Sequence, residues 1–382
     1  MIVHELSFYS QFKCSMGDCP NTCCHGWQIV FDDATCEKYK KEPGLTGFWL
    51  RHGITQRNGM TMFRRRRGFC PFLTKERTCG VQISLGEEYM PDVCRIFPRQ
   101  RVNYGAFAEE TLFLACPEAA RLFLHNLNQL GFHTVERQTD YARLGTNEDT
   151  VFLQELLSIR EAMTAQIAEP DTPRDRLYAG LLTYAGELQQ YYIRKSAPCS
   201  APCDFDCPSL PDLRATVGRA KPYFHITAGM MDQMLTGGFY HILLKTTSPF
   251  LYRLCRMYFK EFDHRTGAQA QERADELKAK LLDEVPGTEQ LLRGHLIYYL
   301  LLEFLTTYEN YSFLRVIATG IMHTQLLELM LALYYENTQS LAEEDLIQII
   351  AVCDRRGRHC AEVEAGMYEV IAPSLLPPSG RR

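Results

Sequence analysis

The sequence lacks several features that mark common classes of protein. Its formal net charge is only −5 over 382 residues, so it has no general attraction to nucleic acid or to anionic lipid. The first residues, Met1 to Glu5, lack the basic segment and uninterrupted apolar run of a secretion signal. No repeat of fixed period is evident, which gives a solenoid fold no support.

Long uncharged apolar runs are also missing. The stretch 296–305 is short and contains Glu303, and the stretch 313–335 contains Arg315, His323 and Glu328. A bilayer crossing needs roughly 20 largely uncharged residues. We therefore expect no membrane-spanning segment and a cytoplasmic location. Hydrophobic residues make up 46% and charged residues 23%, a balance that predicts a globular core.

Cysteine, in contrast, is abundant and unevenly distributed. There are fifteen cysteines, and without an export signal reduced thiols are the default. Clustered reduced thiols indicate a metal site or catalysis. Most of them lie in the first third of the chain, at Cys14, Cys19, Cys23, Cys24, Cys36, Cys70, Cys79, Cys94 and Cys116.

The two parts of the chain differ in glycine and proline content and in the periodicity of their hydrophobic residues. Frequent Gly and Pro in residues 1–125 predict loops wrapped on a metal, with a short helix near 33–41 and short strands near 27–31 and 61–65. From Pro117 onward the pattern is helical, and Ser340 to Glu343 reads as a capping box. Predicted helices span 148–168, 174–195, 222–236, 249–263, 268–284, 288–309, 312–337, 341–355 and 358–371.

These patterns predict a mainly α protein. An irregular cysteine-rich metal or iron–sulfur region (1–125) packs on a multi-helix domain (126–372), which is interrupted by a loop insertion at 196–211. Residues 373–382 form a flexible tail. Cys199, Cys203 and Cys207 lie in the insertion, where neighbouring prolines argue against a continuous helix. They are candidates for a second metal loop.

The spacing of the N-terminal thiols leaves the metal open. Four thiolates complete either a zinc site or an iron–sulfur cluster, and several sets of four are available. Cys23 and Cys24 are adjacent, so their side chains diverge and do not easily bind one metal together. Either one of the pair is spare or two sites share this segment. Structural zinc, an iron–sulfur cluster and buried free thiols all remain possible readings.

The motifs in this region resemble a known family. The segment from Phe12 to Ile29 reads FKCSMGDCPNTCCHGWQI, and it is followed by Cys70-Pro-Phe-Leu, Cys79, Cys94 with Phe-Pro-Arg at 97–99, and Cys116-Pro-Glu. Over about residues 8–125 these landmarks resemble, in order, the flagellin lysine-N-methylase family of clustered-cysteine, iron- or zinc-chelating proteins.

The resemblance implies a function and a set of ligands. The family transfers a methyl group from S-adenosylmethionine to lysine ε-amines of flagellin and requires a [4Fe–4S] cluster. The implied metal ligands here are Cys14, Cys19, Cys23, Cys24, Cys70, Cys79, Cys94 and Cys116, without an assignment of which four bind the cluster. Cys36 lies outside the motifs and is expected to be an ordinary thiol.

Methylation of lysine needs a neutral amine and a group that takes its proton. Near pH 7 the neutral form costs about 4.6 kcal/mol for an unperturbed lysine. By position, the candidate bases are Asp32, Glu87, Tyr89 and Asp92, with Asp33 and Glu88 beside them. The alternative for each is an exposed loop residue.

Basic and aromatic residues complete the candidate site. Arg95 and Arg99 flank Cys94 and are expected to bind the cofactor by donating hydrogen bonds to cluster sulfides. The run Arg64 to Arg67 either receives an anionic group or forms a solvated hairpin edge. His25 is expected to support the metal ligands, and Trp27 to pack beside them.

Two rival functions remain open. One is a zinc-stabilised, non-enzymatic binding module, and the other is an iron–sulfur electron-transfer protein. No Gly-x-Gly-x-Gly loop is present to hold S-adenosylmethionine in the usual way. This absence disfavours the enzyme unless the cluster helps to anchor the cofactor.

Overall fold

The computed structural model describes residues 1–26, 29–57, 59–138, 141–196, 209–221 and 249–357. Within them helices predominate, which confirms the mainly α class. Several predicted features lie outside the described residues, namely the helices 222–236 and 358–371, most of the loop 196–211, the tail 373–382, Trp27, Cys199, Cys203 and Cys207.

A four-stranded sheet, which the sequence did not lead us to expect, lies in the N-terminal part. The described strands are β1 (Ile2–Leu6), β2 (Ile54–Arg57), β3 (Met60–Phe63), β4 (Arg99–Asn103), β5 (Ala108–Leu112) and β6 (Phe132–Glu136). The sheet order is β4-β5-β1-β6, with β1 and β5 parallel and the other pairs antiparallel. Strand β5 is buried along its whole length although it contains Glu109 and Glu110. Because of these two charged residues, the sequence did not indicate a core strand here.

Short elements surround the cysteines between the strands. They are α1 (Asp33–Lys41), α2 (Gly44–His52), the β2–β3 hairpin, α3 (Gly80–Leu85) and α4 (Asp92–Ile96). Helix α1 covers the predicted residues. It begins where it does because the Asp32 carboxylate accepts a 2.7 Å hydrogen bond from the Thr35 N–H, which satisfies a free amide of the first turn.

The two short strands predicted in this region are only partly present. The segment 29–31 makes two backbone hydrogen bonds with β3, from Phe31 N–H to the Thr61 carbonyl and from Phe63 N–H to the Ile29 carbonyl. It forms a single bridge, Val30 with Met62, and no strand, because the chain turns into α1 directly afterwards. The second predicted strand, 61–65, lies at Met60–Phe63 instead.

The cysteine-rich part has a small hydrophobic core of its own, contrary to the expectation of loops wrapped on a metal. The Tyr39 and Leu50 side chains are fully buried in it, and Phe63 packs edge-on against Phe31 and Phe72. Its buried members are Ile29, Phe31, Cys36, Tyr39, Leu50, Phe63, Cys70, Phe72 and Val81.

The helical part agrees with the sequence except at specific boundaries. Its described helices are α5 (Pro117–His125), α6 (Thr150–Ala168), α7 (Arg174–Ser196), α8 (Leu213–Arg219), α9 (Pro249–Phe262), α10 (Gly267–Glu284), α11 (Thr288–Glu303), α12 (Thr307–Asn310), α13 (Phe313–Thr338) and α14 (Glu343–Gly357). Helix α8 was not predicted. The predicted helix 288–309 is broken by a 3-10 turn at Phe304–Thr306 between α11 and α12.

The predicted capping box at Ser340 is wrong. Helix α14 begins at Glu343, and the Asp345 carboxylate accepts a 3.2 Å hydrogen bond from the Ala342 N–H. The Ser340 backbone carbonyl instead accepts from the Thr338 hydroxyl at 2.7 Å. The chain is still leaving α13 at this point, because Gln339 is in the left-handed conformation.

Helix α13 is the central helix of the fold. Among the described helices it is the one long and apolar enough to cross a membrane. We had expected its charged residues to exclude it as a candidate membrane span, and by length and composition they do not. However, 94% of its apolar window is buried inside the protein. Helix α13 belongs to a large hydrophobic core, separate from the small one described above. This large core includes residues from Leu6 in β1 to Cys353 in α14 and therefore joins the sheet to the helices.

Candidate functional site

All eight cysteines that the resemblance implied as ligands line one cavity of about 1050 Å³. They come from segments that are far apart in the sequence: the loops before α1, the loop between β3 and α3, helix α4, and the start of α5. The thiols are those of Cys14, Cys19, Cys23, Cys24, Cys70, Cys79, Cys94 and Cys116. Cys36 is buried in the small core and does not line the cavity, as expected of an ordinary thiol.

Backbone hydrogen bonds bring the segment that contains Cys23 and Cys24 next to the segment that contains Cys70. The Cys70 N–H donates a 2.8 Å hydrogen bond to the Cys24 carbonyl, and the Gly26 N–H donates to the Gly68 carbonyl at 3.1 Å. The side chains follow the same arrangement. The Cys23 thiol donates to Cys24, and the Cys24 thiol donates to Cys70.

Two of the thiols are held at helix starts. Cys79 precedes α3 and Cys116 precedes α5. The Cys79 sulfur accepts from the backbone N–H groups of Val81 and Gln82, and the Cys116 sulfur accepts from those of Glu118 and Ala119. Such amides stabilise a thiolate because they present positive partial charge to it.

Burial keeps these thiols protonated when no cation is bound. It raises the pKa of Cys116 to about 12. The hydrogen bond from Cys23 lowers the pKa of Cys24, but its own donation to Cys70 and its burial outweigh this and raise that pKa to about 12. Burial also raises the pKa of Cys94 well above its ordinary value. A metal must therefore displace protons when it binds here, which makes its affinity depend on pH.

Arg355, at the other end of the chain, closes one side of the cavity. The residue is 6% exposed, and its guanidinium donates to the Asn21 side chain at 3.1 Å and to the Asn21 carbonyl at 2.9 Å. It also donates to the carbonyls of Thr22 and His25 at 3.4 Å and of Ala115 at 3.1 Å. One side chain of α14 therefore holds both the Cys23 loop and the residue before Cys116.

The neighbouring Asp354 reinforces this attachment. Its carboxylate accepts a 2.7 Å hydrogen bond from the Ala115 N–H. Both polar backbone groups of Ala115 are thus bound by α14. Nothing in the sequence marks either residue, because they lie about 240 positions from the cysteine segment that they hold.

Soft sulfur donors dominate the polar lining, which is the donor set that zinc and iron–sulfur clusters prefer. In the described part of the chain, no three Cys, His, Asp or Glu side chains are arranged as ligands of one metal ion. The sulfur donors of the lining fit the chemistry of a thiolate-bound metal group.

The predicted bases separate into one that lines the cavity and others that do not. Glu87 lines it. Asp32 does not line it. Its carboxylate instead accepts hydrogen bonds from the Thr35 N–H at the start of α1 and, at 3.1 Å, from the Asp92 N–H. Burial alone would raise the Asp32 pKa, but the backbone donors outweigh it and lower the pKa. Asp33 is an exposed residue of the first turn of α1.

The remaining candidates do not line the cavity. The Tyr89 hydroxyl donates to Glu42 at 2.8 Å. Asp92 forms an ion pair with Arg95. Glu88 is exposed, and its carbonyl accepts from the Lys38 amine. Positions near the cysteines in sequence therefore do not all face the cavity.

Arginines form the cationic part of the lining. Arg95 and Arg99 line the cavity, and Arg99 lies over the Phe12 ring at 4.9 Å. Of the run from Arg64 to Arg67, only Arg65 lines it, since its three neighbours are exposed at the hairpin edge. Arg77 was not singled out from the sequence but also lines the cavity. His25 does not line it and packs on Phe69, with ring centroids 4.2 Å apart.

Known proteins match part of this chain. It is 31% identical over 131 residues to the flagellar biosynthetic protein FliU of Salmonella muenchen, a match that covers 32% of this chain and 78% of FliU. The chain belongs to the FliU family.

Two longer relatives are named for an enzymatic activity. Over 146 residues the chain is 31% identical to proteins named lysine-N-methylase from Salmonella choleraesuis and Salmonella typhimurium. Each match covers 36% of this chain and 36% of the relative, so it spans about a third of their length. No protein-family profile matches the chain. No solved structure matches it.

Proposed function

We propose that this protein is an iron–sulfur-dependent protein-lysine N-methyltransferase that acts on flagellin or a similar surface protein, with S-adenosylmethionine as the methyl donor. The observation that carries the proposal is the convergence of eight thiols on one cavity. The names of the relatives, lysine-N-methylase and a flagellar biosynthetic protein, support the reaction and the class of substrate.

The cavity lining supports the handling of anionic groups. Six cationic side chains face it, and Glu87 is the one carboxylate in the described lining; the cations are Lys13, Arg65, Arg77, Arg95, Arg99 and Arg355. This excess of positive charge attracts the carboxylate of an amino-acid cofactor and offsets the negative charge of bound thiolates. The thiols would hold a [4Fe–4S] cluster, which supplies an iron able to chelate an amino-carboxylate.

The same charges favour the reactive form of the substrate. A lysine ammonium that enters the cavity meets several arginines and loses water, and both effects lower its pKa. The lining therefore removes part of the roughly 4.6 kcal/mol needed to form the neutral amine near pH 7. In this proposal Glu87, which lines the cavity, accepts the proton that leaves the lysine.

The zinc-stabilised binding module is the alternative that the donor chemistry also allows. Anaerobic purification separates the two readings before any assay. A brown protein with broad absorbance near 400 nm, as thiolate-bound iron–sulfur clusters give, supports the proposal. A colourless protein that carries stoichiometric zinc contradicts it.

Activity is tested with the full chain. Iron-loaded protein is incubated with S-adenosylmethionine and candidate flagellins, and mass spectrometry is used to find methyl increments on lysine. Glu87→Gln should lower the rate about 100-fold or more, as loss of a general base does, and leave the iron content unchanged. Glu88→Gln is the matched control because that side chain does not line the cavity. Iron-loaded protein that methylates none of the flagellins would refute the proposal.

A further inference from the structure

Helix α2 carries an apolar stripe on its exposed face. The members of the stripe stand at positions i, i+3, i+4 and i+7, which share one face of a helix. We name this set the α2 stripe: Leu45, Phe48, Trp49 and His52. Leu45 is 88% exposed, Phe48 56% and Trp49 36%. Contiguous exposed apolar surface of this kind marks an interaction site, whereas single exposed apolar residues do not.

The opposite face of α2 fixes the helix to the rest of the molecule. Leu50 is fully buried in the small hydrophobic core. The Arg51 guanidinium donates to the carbonyls of Tyr39 and Glu42, at the end of α1, at 3.3 and 2.7 Å. The α2 stripe is therefore presented on a fixed helix, and packing within the described chain leaves its apolar side chains exposed. A preorganised surface loses little conformational freedom when a partner binds.

The α2 stripe borders the wall of the cavity. The Trp49 ring packs edge-on against Phe72, with centroids 4.5 Å apart, and Phe72 lines the cavity. Just past the end of α2, the Arg64 N–H donates a 2.7 Å hydrogen bond to the Gly53 carbonyl. The next residue, Arg65, lines the cavity. Side chains that touch the stripe thus also form part of the reaction space.

The chain that follows the stripe is strongly basic. Residues 51–77 contain eight lysines and arginines, and Glu76 is the one acid among them, although the whole chain has a net charge of −5. Four of the arginines are exposed around the end of α2 and the β2–β3 hairpin: Arg57, Arg64, Arg66 and Arg67. Two copies paired through this face would bring the same cations together, which disfavours a homodimer. The surface fits a partner that combines exposed apolar side chains with negative charge.

From these observations we infer that the α2 stripe and the arginines beside it are the docking surface for the methyl-acceptor protein, which presents an acidic segment with exposed apolar side chains. The inference rests on the proposed methyltransferase function and adds the surface that recognises the substrate outside the cavity. Docking there contributes to the affinity for the acceptor protein and takes no part in the chemical step.

Kinetics of the full, iron-loaded chain with flagellin as the acceptor test the apolar part of this surface. Leu45→Ser/Phe48→Ser removes exposed apolar area and leaves Trp49 in place. It should raise KM for flagellin about tenfold or more, as the loss of two interface anchors does, and leave kcat and iron content at their wild-type values. Val151→Ser/Ile193→Ser is the matched control, because it changes two exposed apolar residues of α6 and α7. It should keep the wild-type KM.

Direct binding tests the charged part of the surface without methylation. Arg57→Glu/Arg64→Glu should weaken the binding of flagellin in biolayer interferometry by about tenfold or more at low salt, because it reverses two charges that attract an acidic partner. The difference from the wild type should shrink as the salt concentration rises. Arg256→Glu/Lys260→Glu makes the same change of charge at two exposed positions of α9 and should bind like the wild type.

The outcomes separate this inference from the proposed function. An active enzyme in which Leu45→Ser/Phe48→Ser keeps the wild-type KM would overturn the inference and leave the function standing. Flagellin that binds through the α2 stripe but is not methylated would refute the proposed function alone. The inference would also be overturned if the wild type bound no candidate flagellin, or if the stripe instead formed a dimer in analytical ultracentrifugation or bound anionic lipid vesicles.

Discussion

The ion pair between Glu109 and Arg160 is the connection between the sheet and the helices that is most open to a quantitative test. Glu109 lies in β5 and Arg160 in α6, and their side chains are 4% and 6% exposed. Two hydrogen bonds join them, at 2.6 and 3.0 Å, and Arg160 also donates to the Leu301 carbonyl at 3.2 Å. The His4 imidazole also lies near this pair, with its Nδ1 3.9 Å from a Glu109 carboxylate oxygen.

Arg160→Met keeps most of the side-chain length and removes the charge. It leaves the buried Glu109 carboxylate without its main partner, and breaking a buried pair in this way costs about 3–5 kcal/mol. Arg160→Met/Glu109→Gln removes the uncompensated charge as well. We expect it to recover a large part of the loss, because an apolar or neutral replacement of both partners is often nearly neutral.

Urea unfolding followed by circular dichroism measures these differences. Lys40→Met is the control, since the Lys40–Glu37 pair is more than half exposed on both sides and exposed pairs contribute little. If Arg160→Met shifted the unfolding midpoint no more than Lys40→Met does, the buried pair would not be a connection of this strength. A double variant no more stable than the single one would show that the unpaired charge is not the cause.

The pH dependence of stability gives a second check on the same pair. Burial would raise the Glu109 pKa, but Arg160 and His4 outweigh it and hold the pKa below its ordinary value. A carboxyl with a lowered folded-state pKa stabilises the protein above its unfolded pKa, and this contribution is lost as the pH falls through the folded value. The cost of Arg160→Met should therefore be larger at pH 8 than at pH 4.

Two further predictions concern helix packing and the cavity. Gly180→Ala should destabilise the protein, because its Cβ would lie 2.7 Å from the Val217 Cα, whereas Gly186→Ala in the same helix meets nothing within 4 Å and should stabilise it by about 0.5–1 kcal/mol. Equal effects of the two changes on urea unfolding would contradict this reading. Arg355→Met should make the reduction potential of a bound cluster more negative, because a buried cation is lost beside the thiols. Arg121→Met is its control, since Arg121 also joins α5 to α14 but does not line the cavity, and an unchanged potential in Arg355→Met would refute the role of Arg355.

Local signals in the sequence were sufficient for much of the helical part. The helix α1, the start of α5 at Pro117 and the long helix α13 follow from side-chain periodicity and capping residues, which act over a few positions. The strand β5 could not be read in this way. Its two glutamates suggest exposure, and their burial depends on partners such as Arg160, about 50 residues away.

The candidate site shows the same division. The thiol motifs identified the cavity-lining cysteines by their order along the chain, and Arg95 and Arg99 were found by their place beside Cys94. Among the acids, closeness in sequence did not distinguish Glu87 from Tyr89 or Asp92. Only the path of the backbone between α3 and α4 decides which of these side chains faces the cavity.

The sequence alone therefore determined that a dense set of cysteines opens a mainly helical chain, because composition and periodicity are local properties of the residues. The tertiary structure alone decided that these sulfurs meet in one cavity and that Arg355 closes one side of it from the far end of the described chain. Contacts between distant segments depend on how whole elements pack, and no local pattern records that packing.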